Sequence, residues 1–132
     1  MRGPGVHLAI IVLSLATAVG AASAEVSKPP KPLCFLSHDW NGWKASPDSK
    51  SLYIRVGASR LYRLDMASAC PALSEIGVHL VTRTRGSSWI CHPLDLDLKV
   101  ADDHGFRGAC IVSAITPLSD AEAAALPKAL RP

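Results

Sequence analysis

Apolar and polar positions along this chain alternate with a period of two more often than they recur every three or four residues, so strands should dominate the fold. Residues 94–100 give the clearest case. Leu94, Leu96, Leu98 and Val100 share one face and Asp95, Asp97 and Lys99 the other, which predicts a half-buried strand with its charged side in water. Residues 51–56 and 60–66 are rich in branched and aromatic side chains, and Gly57-Ala58-Ser59 between them is of hairpin length. Leu52, Ile54 and Val56 mark the core face of this hairpin, while Tyr53, Arg55, Arg63 and Asp65 fall on a solvated face suited to cross-strand charge pairing. In residues 78–84, Val78, Leu80, Thr82 and Thr84 alternate against His79, Val81 and Arg83. Arg85-Gly86-Ser87 then turns the chain into residues 88–92, predicting a second hairpin.

Residues 33–36 and 110–115 predict the first and last strands, the latter ended by Pro117, and residues 102–108 have the composition of a loop. Trp40 and Trp43 lie three apart around Asn41-Gly42, which makes residues 38–44 too irregular for a clean strand. Two short helices complete the pattern. One runs from Cys70 to Ile76, with Pro71 in its first turn and Gly77 as its stop. The other starts on the capping box of Ser119 and Glu122 and ends before Pro127. The expected class is a β-rich α+β domain with one short central helix and a short C-terminal helix. Its sheet edges would be hidden either by an OB-like β-barrel, slightly preferred, or by a small twisted antiparallel sheet packed on one helix.

Residues 8–19 depart from this alternation. They form an apolar run broken only by Ser14 and Thr17, preceded by Arg2 and followed by Ala22-Ser23-Ala24. This is the pattern of a secretory signal peptide over residues 1–24, cleaved before Glu25. The apolar core of about a dozen residues falls short of the roughly 20 needed to span a bilayer, so no transmembrane segment is expected after cleavage. Residues 25–32, with Pro29, Pro30 and Pro32, read as a Pro-rich tether, and residues 33–132 as a single disulfide-stabilised domain. Cys34 lies too far beyond Ala24 to be a lipidated N-terminus.

Formal net charge is +3 for the whole chain, and Arg2 supplies one of those charges. The cations of the remainder are scattered, without the clustered basic face that a nucleic-acid partner requires. Nucleic acid is therefore excluded as the expected partner.

Cys34, Cys70, Cys91 and Cys110 all lie beyond the predicted leader, and no Cys-x-x-Cys occurs. An even number of widely spaced cysteines in a small exported chain points to two disulfides rather than to zinc or a thioredoxin-like redox pair. Three pairings are open. The placement of Cys34 and Cys110 at the start of the first and last strands favours Cys34 with Cys110 and Cys70 with Cys91.

Catalytic signatures are missing. No serine sits in a Gly-x-Ser-x-Gly elbow, and His38, His79, His92 and His104 fall at no metal-ligand spacing. Asp95, Asp97, Asp102, Asp103 and His104 gather four carboxylates and an imidazole within ten residues, a weak candidate for cation binding. The ordinary reading of the same residues is a strand's wet face followed by a turn. Trp40 and Trp43, if exposed beside Tyr53, would form a stacking platform for a glycan or peptide; turned inward they are core, which is the favoured reading. No catalytic residue and no cofactor is assigned.

The exported N-terminus together with Cys34-Phe35, Leu52-Tyr53-Ile54, Arg60-Leu61-Tyr62-Arg63-Leu64, Cys70-Pro71, Leu73, Ile90-Cys91, Asp95 and the run from Cys110 to Leu118 resembles a family of small exported proteobacterial proteins classed as a domain of unknown function. The resemblance spans most of residues 33–126. It implies a bacterial envelope setting and the four-cysteine framework, and brings no activity. The expected function is a non-catalytic periplasmic or secreted module that binds a protein or envelope component. The alternative is a metal-dependent protein or enzyme centred on residues 95–104.

Overall fold

The computed structural model describes residues 33–132; the predicted leader and the Pro-rich tether lie outside the described residues. The alternating segments form the strands that their patterns predict, with several changes of partner and boundary. The hairpin is β3 (Ser51–Val56) and β4 (Arg60–Met66), in register from Ser51 opposite Asp65 to Val56 opposite Arg60. Gly57 takes the left-handed φ of 63° that its turn requires. Leu52, Ile54, Val56, Tyr62 and Leu64 are wholly buried. On the other face the Arg63 Nε lies 3.0 Å from Asp65, whose carboxylate also accepts from Ser51 Oγ.

Outside this hairpin lies β2 (Trp40–Ala45), a strand despite its irregular pattern. A break in register between Trp40 and Trp43 absorbs Asn41 and Gly42 as a bulge, so that Trp40, Trp43 and Ala45 all lie opposite buried residues of β3. β9 (Val112–Pro117) pairs on the far side of β4, which gives the four-stranded order β2-β3-β4-β9.

A second sheet has the order β5-β7-β8, from β5 (His79–Thr84), β7 (Leu96–Asp102) and β8 (Gly105–Cys110). Residues 102–108 therefore contribute to a strand rather than a loop: Gly105 pairs with Asp102, and β8 folds straight back on β7. The predicted hairpin of residues 78–92 does not form. β5 pairs with β7, while β6 (Trp89–Ile90) pairs with β1 (Phe35–Leu36) in a two-stranded ribbon. That ribbon sends Phe35 and Ile90, opposite each other and fully buried, into the core.

The two larger sheets share one length of chain. β8 ends at Cys110, β9 begins at Val112, and Ile111 between them is the corner at which the strand leaves one sheet for the other. Such corners are how two sheets pack at a large angle without a long connection. The core between them joins Leu98 and Val100 of β7 to Leu64 and Ile115 of the other sheet, with the Phe35 and Tyr62 rings at 4.9 Å. Each such side chain contributes about 1.5–3 kcal/mol by leaving water. The sheets meet at the Ile111 corner but, among the described residues, β2 and β5 remain unpaired at the opposite edges, so the fold is β-rich, built of antiparallel sheets, and the preferred closed barrel is not formed by them.

The central helix is reduced to one 3-10 turn, Pro71–Ser74, since the chain is already extended at Glu75 (φ −73°, ψ 148°), before the left-handed Gly77 at φ 78°. A further 3-10 turn, Pro93–Asp95, takes Leu94 out of the strand expected to bury it and leaves it 80% exposed. The C-terminal helix α1 (Asp120–Ala125) forms as predicted. Ser119 Oγ accepts from the Glu122 amide at 3.2 Å, and Glu122 accepts from the Ser119 amide at 2.7 Å.

Four cysteines form two disulfides, Cys34–Cys91 and Cys70–Cys110, which corrects the favoured pairing of Cys34 with Cys110 and Cys70 with Cys91. Two displacements explain the correction. Cys34 and Cys91 occupy the next opposed positions beyond Phe35 and Ile90 in the ribbon, so β6 carries Cys91 to Cys34. Cys110 closes β8 instead of opening the last strand, and the Cys70 turn packs over it. Each bond closes a loop long enough to contribute about 4 kcal/mol on the loop-entropy model.

Candidate functional site

A cleft of about 340 Å³ lies where the two sheets fail to join, with β2 on one wall and β5 on the other. Its position follows from the pattern of side chains. Leu80, Thr82 and Thr84 lie opposite Val100, Leu98 and Leu96, the buried face of β7, and so point to the inside of the molecule. With no strand beyond β5 among the described residues, that inner face is not sealed by them, and Thr82 is exposed. Trp40 and Trp43 form the facing wall and are half-buried.

The two indoles are divided between core and cleft. Each packs against the core with part of its surface, Trp40 meeting the Phe35 ring edge-on at 6.4 Å, and each lines the cleft with the rest. Tyr53 does not join them, because it lies opposite Lys44 and Arg63, on the other face of the same sheet. Trp40 and Trp43 therefore line the cleft without Tyr53.

The β2 wall is held rigid by its own hydrogen bonds. Trp40 Nε1 donates to the Gly42 carbonyl at 3.2 Å. Asn41 Nδ2 donates to the Gly57 carbonyl at 2.7 Å and to the Asp39 carbonyl at 3.3 Å, while its Oδ1 accepts from Arg55 Nε at 2.7 Å. Pro132 and Arg55 lie against Gly42, at ordinary contact distance from where a Cβ would stand. By contrast, Ser37, Trp43, His79 and Thr82 line the cleft with side-chain donors and acceptors that bond nothing among the described residues. Half-buried aromatic surface beside a few convergent polar groups is the usual composition of a binding cleft.

The carboxylates of residues 95–104 do not converge. Asp95 accepts from the Cys91 amide at 2.9 Å and the His92 amide at 2.8 Å, and these two bonds hold its carboxyl below the usual carboxylate range. Asp97 lies 3.4 Å from Lys99 Nζ. Asp102 accepts from the His104 amide and from Arg107 Nε, both at 2.8 Å, and the amide bond first and the guanidinium next lower its pKa. Asp103 and His104 stand on the exposed hairpin tip. No group of three or more histidine, cysteine, aspartate or glutamate side chains is placed to hold a metal ion among the described residues.

The sequence did not point to Ser37, His79 and Thr82 as cleft residues. Only the knowledge that β2 and β5 are the two free edges brings them together, and no local pattern carries it. One further cluster is structural: buried Ser49 pairs its hydroxyl with that of Ser74 at 2.6 Å, and its carbonyl accepts from the Cys70 amide at 2.9 Å, tying the turn before β3 to the Pro71 turn.

Two antiparallel sheets joined at one strand corner, stapled by two disulfides and open along one seam, define a small disulfide-stabilised β domain. The chain belongs to DUF6491, a family of unknown function, whose model matches residues 6–132. No curated protein and no solved structure matches it. Among the described residues no helix is long and apolar enough to cross a membrane.

Proposed function

We propose that this protein is an exported, non-catalytic binding module of the bacterial envelope, periplasmic or secreted, and that it holds its ligand in the cleft between β2 and β5. The observation that carries the reading is that cleft: two indoles half-exposed on a braced wall, facing side-chain hydrogen-bonding groups that the protein leaves unused. Export is supported by the leader pattern of residues 1–24 and by two disulfides, which persist in oxidising compartments. A metal-dependent role for residues 95–104 has no comparable support, since Asp95, Asp97 and Asp102 are engaged by neighbouring amides and cations.

Two measurements test the reading. Fractionation of the cells that make the protein, with mass analysis of its N-terminus, should find a chain beginning at Glu25 outside the cytosol; an intact N-terminus retained in the cytosol would refute export. Substitution of Trp43 by Ala should weaken ligand binding several-fold, as expected for the loss of one stacking surface, with the fold intact.

A further inference from the structure

The cleft has two walls, and they differ in what their backbones still offer. On β2 both carbonyls of the bulge are taken, Asn41 O accepting from Arg55 Nη2 at 3.3 Å and Gly42 O from Trp40 Nε1, and the bulge between Trp40 and Trp43 breaks the regular spacing that a further strand would need. On β5 the pairing with β7 runs without a break from His79 opposite Ala101 to Thr84 opposite Leu96. Its other edge has no partner strand among the described residues. Alternate amides and carbonyls of β5 therefore face the cleft at regular strand spacing, with no hydrogen bond of their own among the described residues.

Charge selects the occupant. Residues 78–88 contain His79, Arg83 and Arg85 and no carboxylate. Arg83 and Arg85 form no ion pair among the described residues, in contrast to Arg60, Arg63 and Arg107; Asp97, opposite Arg83, is engaged by Lys99. A second copy pairing through the same edge would bring these arginines together, which is unfavourable.

We propose that the free edge of β5 takes an extended acidic peptide of a partner protein as an added strand. This inference rests on the reading of the cleft as the binding site and names what fills it. The peptide's alternate side chains divide between two environments. One set enters the cleft against Trp40 and Trp43; the other lies on the outer face beside Arg83, where carboxylates are favoured. The preferred sequence therefore alternates apolar and acidic residues. A glycan would satisfy the side chains of the cleft but not the β5 backbone.

The test uses the full-length oxidised protein and a blocked heptapeptide of alternating Glu and Val with a central Thr, titrated calorimetrically. Controls are the same peptide N-methylated at alternate amides, a peptide with Lys for Glu, and a hexamer of β-1,4-linked N-acetylglucosamine. Binding of the acidic peptide with slowed amide exchange in β5, at least tenfold weakening by N-methylation on the cleft-facing register, and a several-fold loss in Arg83→Gln are expected. Equal affinity of the N-methylated peptide would overturn the inference. So would no binding of the acidic peptide at millimolar concentration, or a β5-mediated dimer of the protein itself. Saturable binding of the sugar hexamer alone, dependent on Trp43, would overturn the inference while leaving the cleft as the binding site; failure of peptide and sugar alike would remove both.

Discussion

At the scale of single residues, the structure separates side chains that hold the fold from those left free to act. Ser49 holds it. It is buried, its φ of 56° lies in the left-handed region, and its hydroxyl is paired with Ser74. A β-branched side chain is strained in that conformation, so Ser49→Val is expected to cost about 2–3 kcal/mol in urea unfolding, and Ser49→Gly less, because glycine relieves the backbone while losing the hydroxyl. Asp48, Asp95 and Asp102 are held below their ordinary pKa, by Ser46 Oγ for Asp48 and by backbone amides for the other two. A carboxyl with a depressed folded pKa stabilises the protein above its unfolded value of about 3.9, and that contribution is lost as pH falls through the folded value. Melting temperature should therefore be insensitive to these groups above about pH 5 and fall below pH 4. Asp95→Asn should flatten the acid limb, and an unchanged limb in that variant would contradict the assignment.

Among the secondary-structure elements, the disulfides and the strands they join were the least legible from sequence. The β3–β4 hairpin and the Ser119 cap were readable because each is decided within a dozen residues by alternation, turn length and capping chemistry. The partner of β6 was not, because residues 88–92 are as compatible with a hairpin to β5 as with a ribbon to β1. The choice falls to Phe35, Ile90 and the cysteines beside them. Leu94 misled for a local reason, since Pro93 and the amides donated to Asp95 favour a tight turn over the strand that alternation alone predicts. The two disulfides also differ in access: Cys70 and Cys110 are buried, whereas Cys34 and Cys91 are half-exposed. Mild reduction followed by alkylation and peptide mapping should label Cys34 and Cys91 first. Replacing Cys70 and Cys110 together by Ser should cost about 4 kcal/mol, a large fraction of the stability of a domain this size.

At the scale of the whole molecule, the Ile111 corner and the open seam have one origin. Because a single strand passes from one sheet to the other, the sheets are joined along one side, and β2 and β5 are left as free edges on the other. Alternation along the sequence predicts sheets whose edges are hidden, so it gives no cleft between two free edges. Residue type singles out Trp40 and Trp43, and Tyr53 would join them only if they shared its solvated face; the register puts them on the other. The unpaired edge leaves the cleft open, and the two indoles line it.

The claim at the centre of this account is that the cleft between β2 and β5 is where the protein binds, and tryptophan fluorescence tests it most directly. The oxidised protein titrated with the alternating acidic peptide and with the N-acetylglucosamine hexamer should give a saturable change in emission with at least one of them. That change should be retained in Tyr53→Ala, and in Trp43→Ala, where Trp40 still reports, it should be smaller and need a several-fold higher probe concentration. No saturable change with either probe, or an equal change in Trp43→Ala, would contradict it.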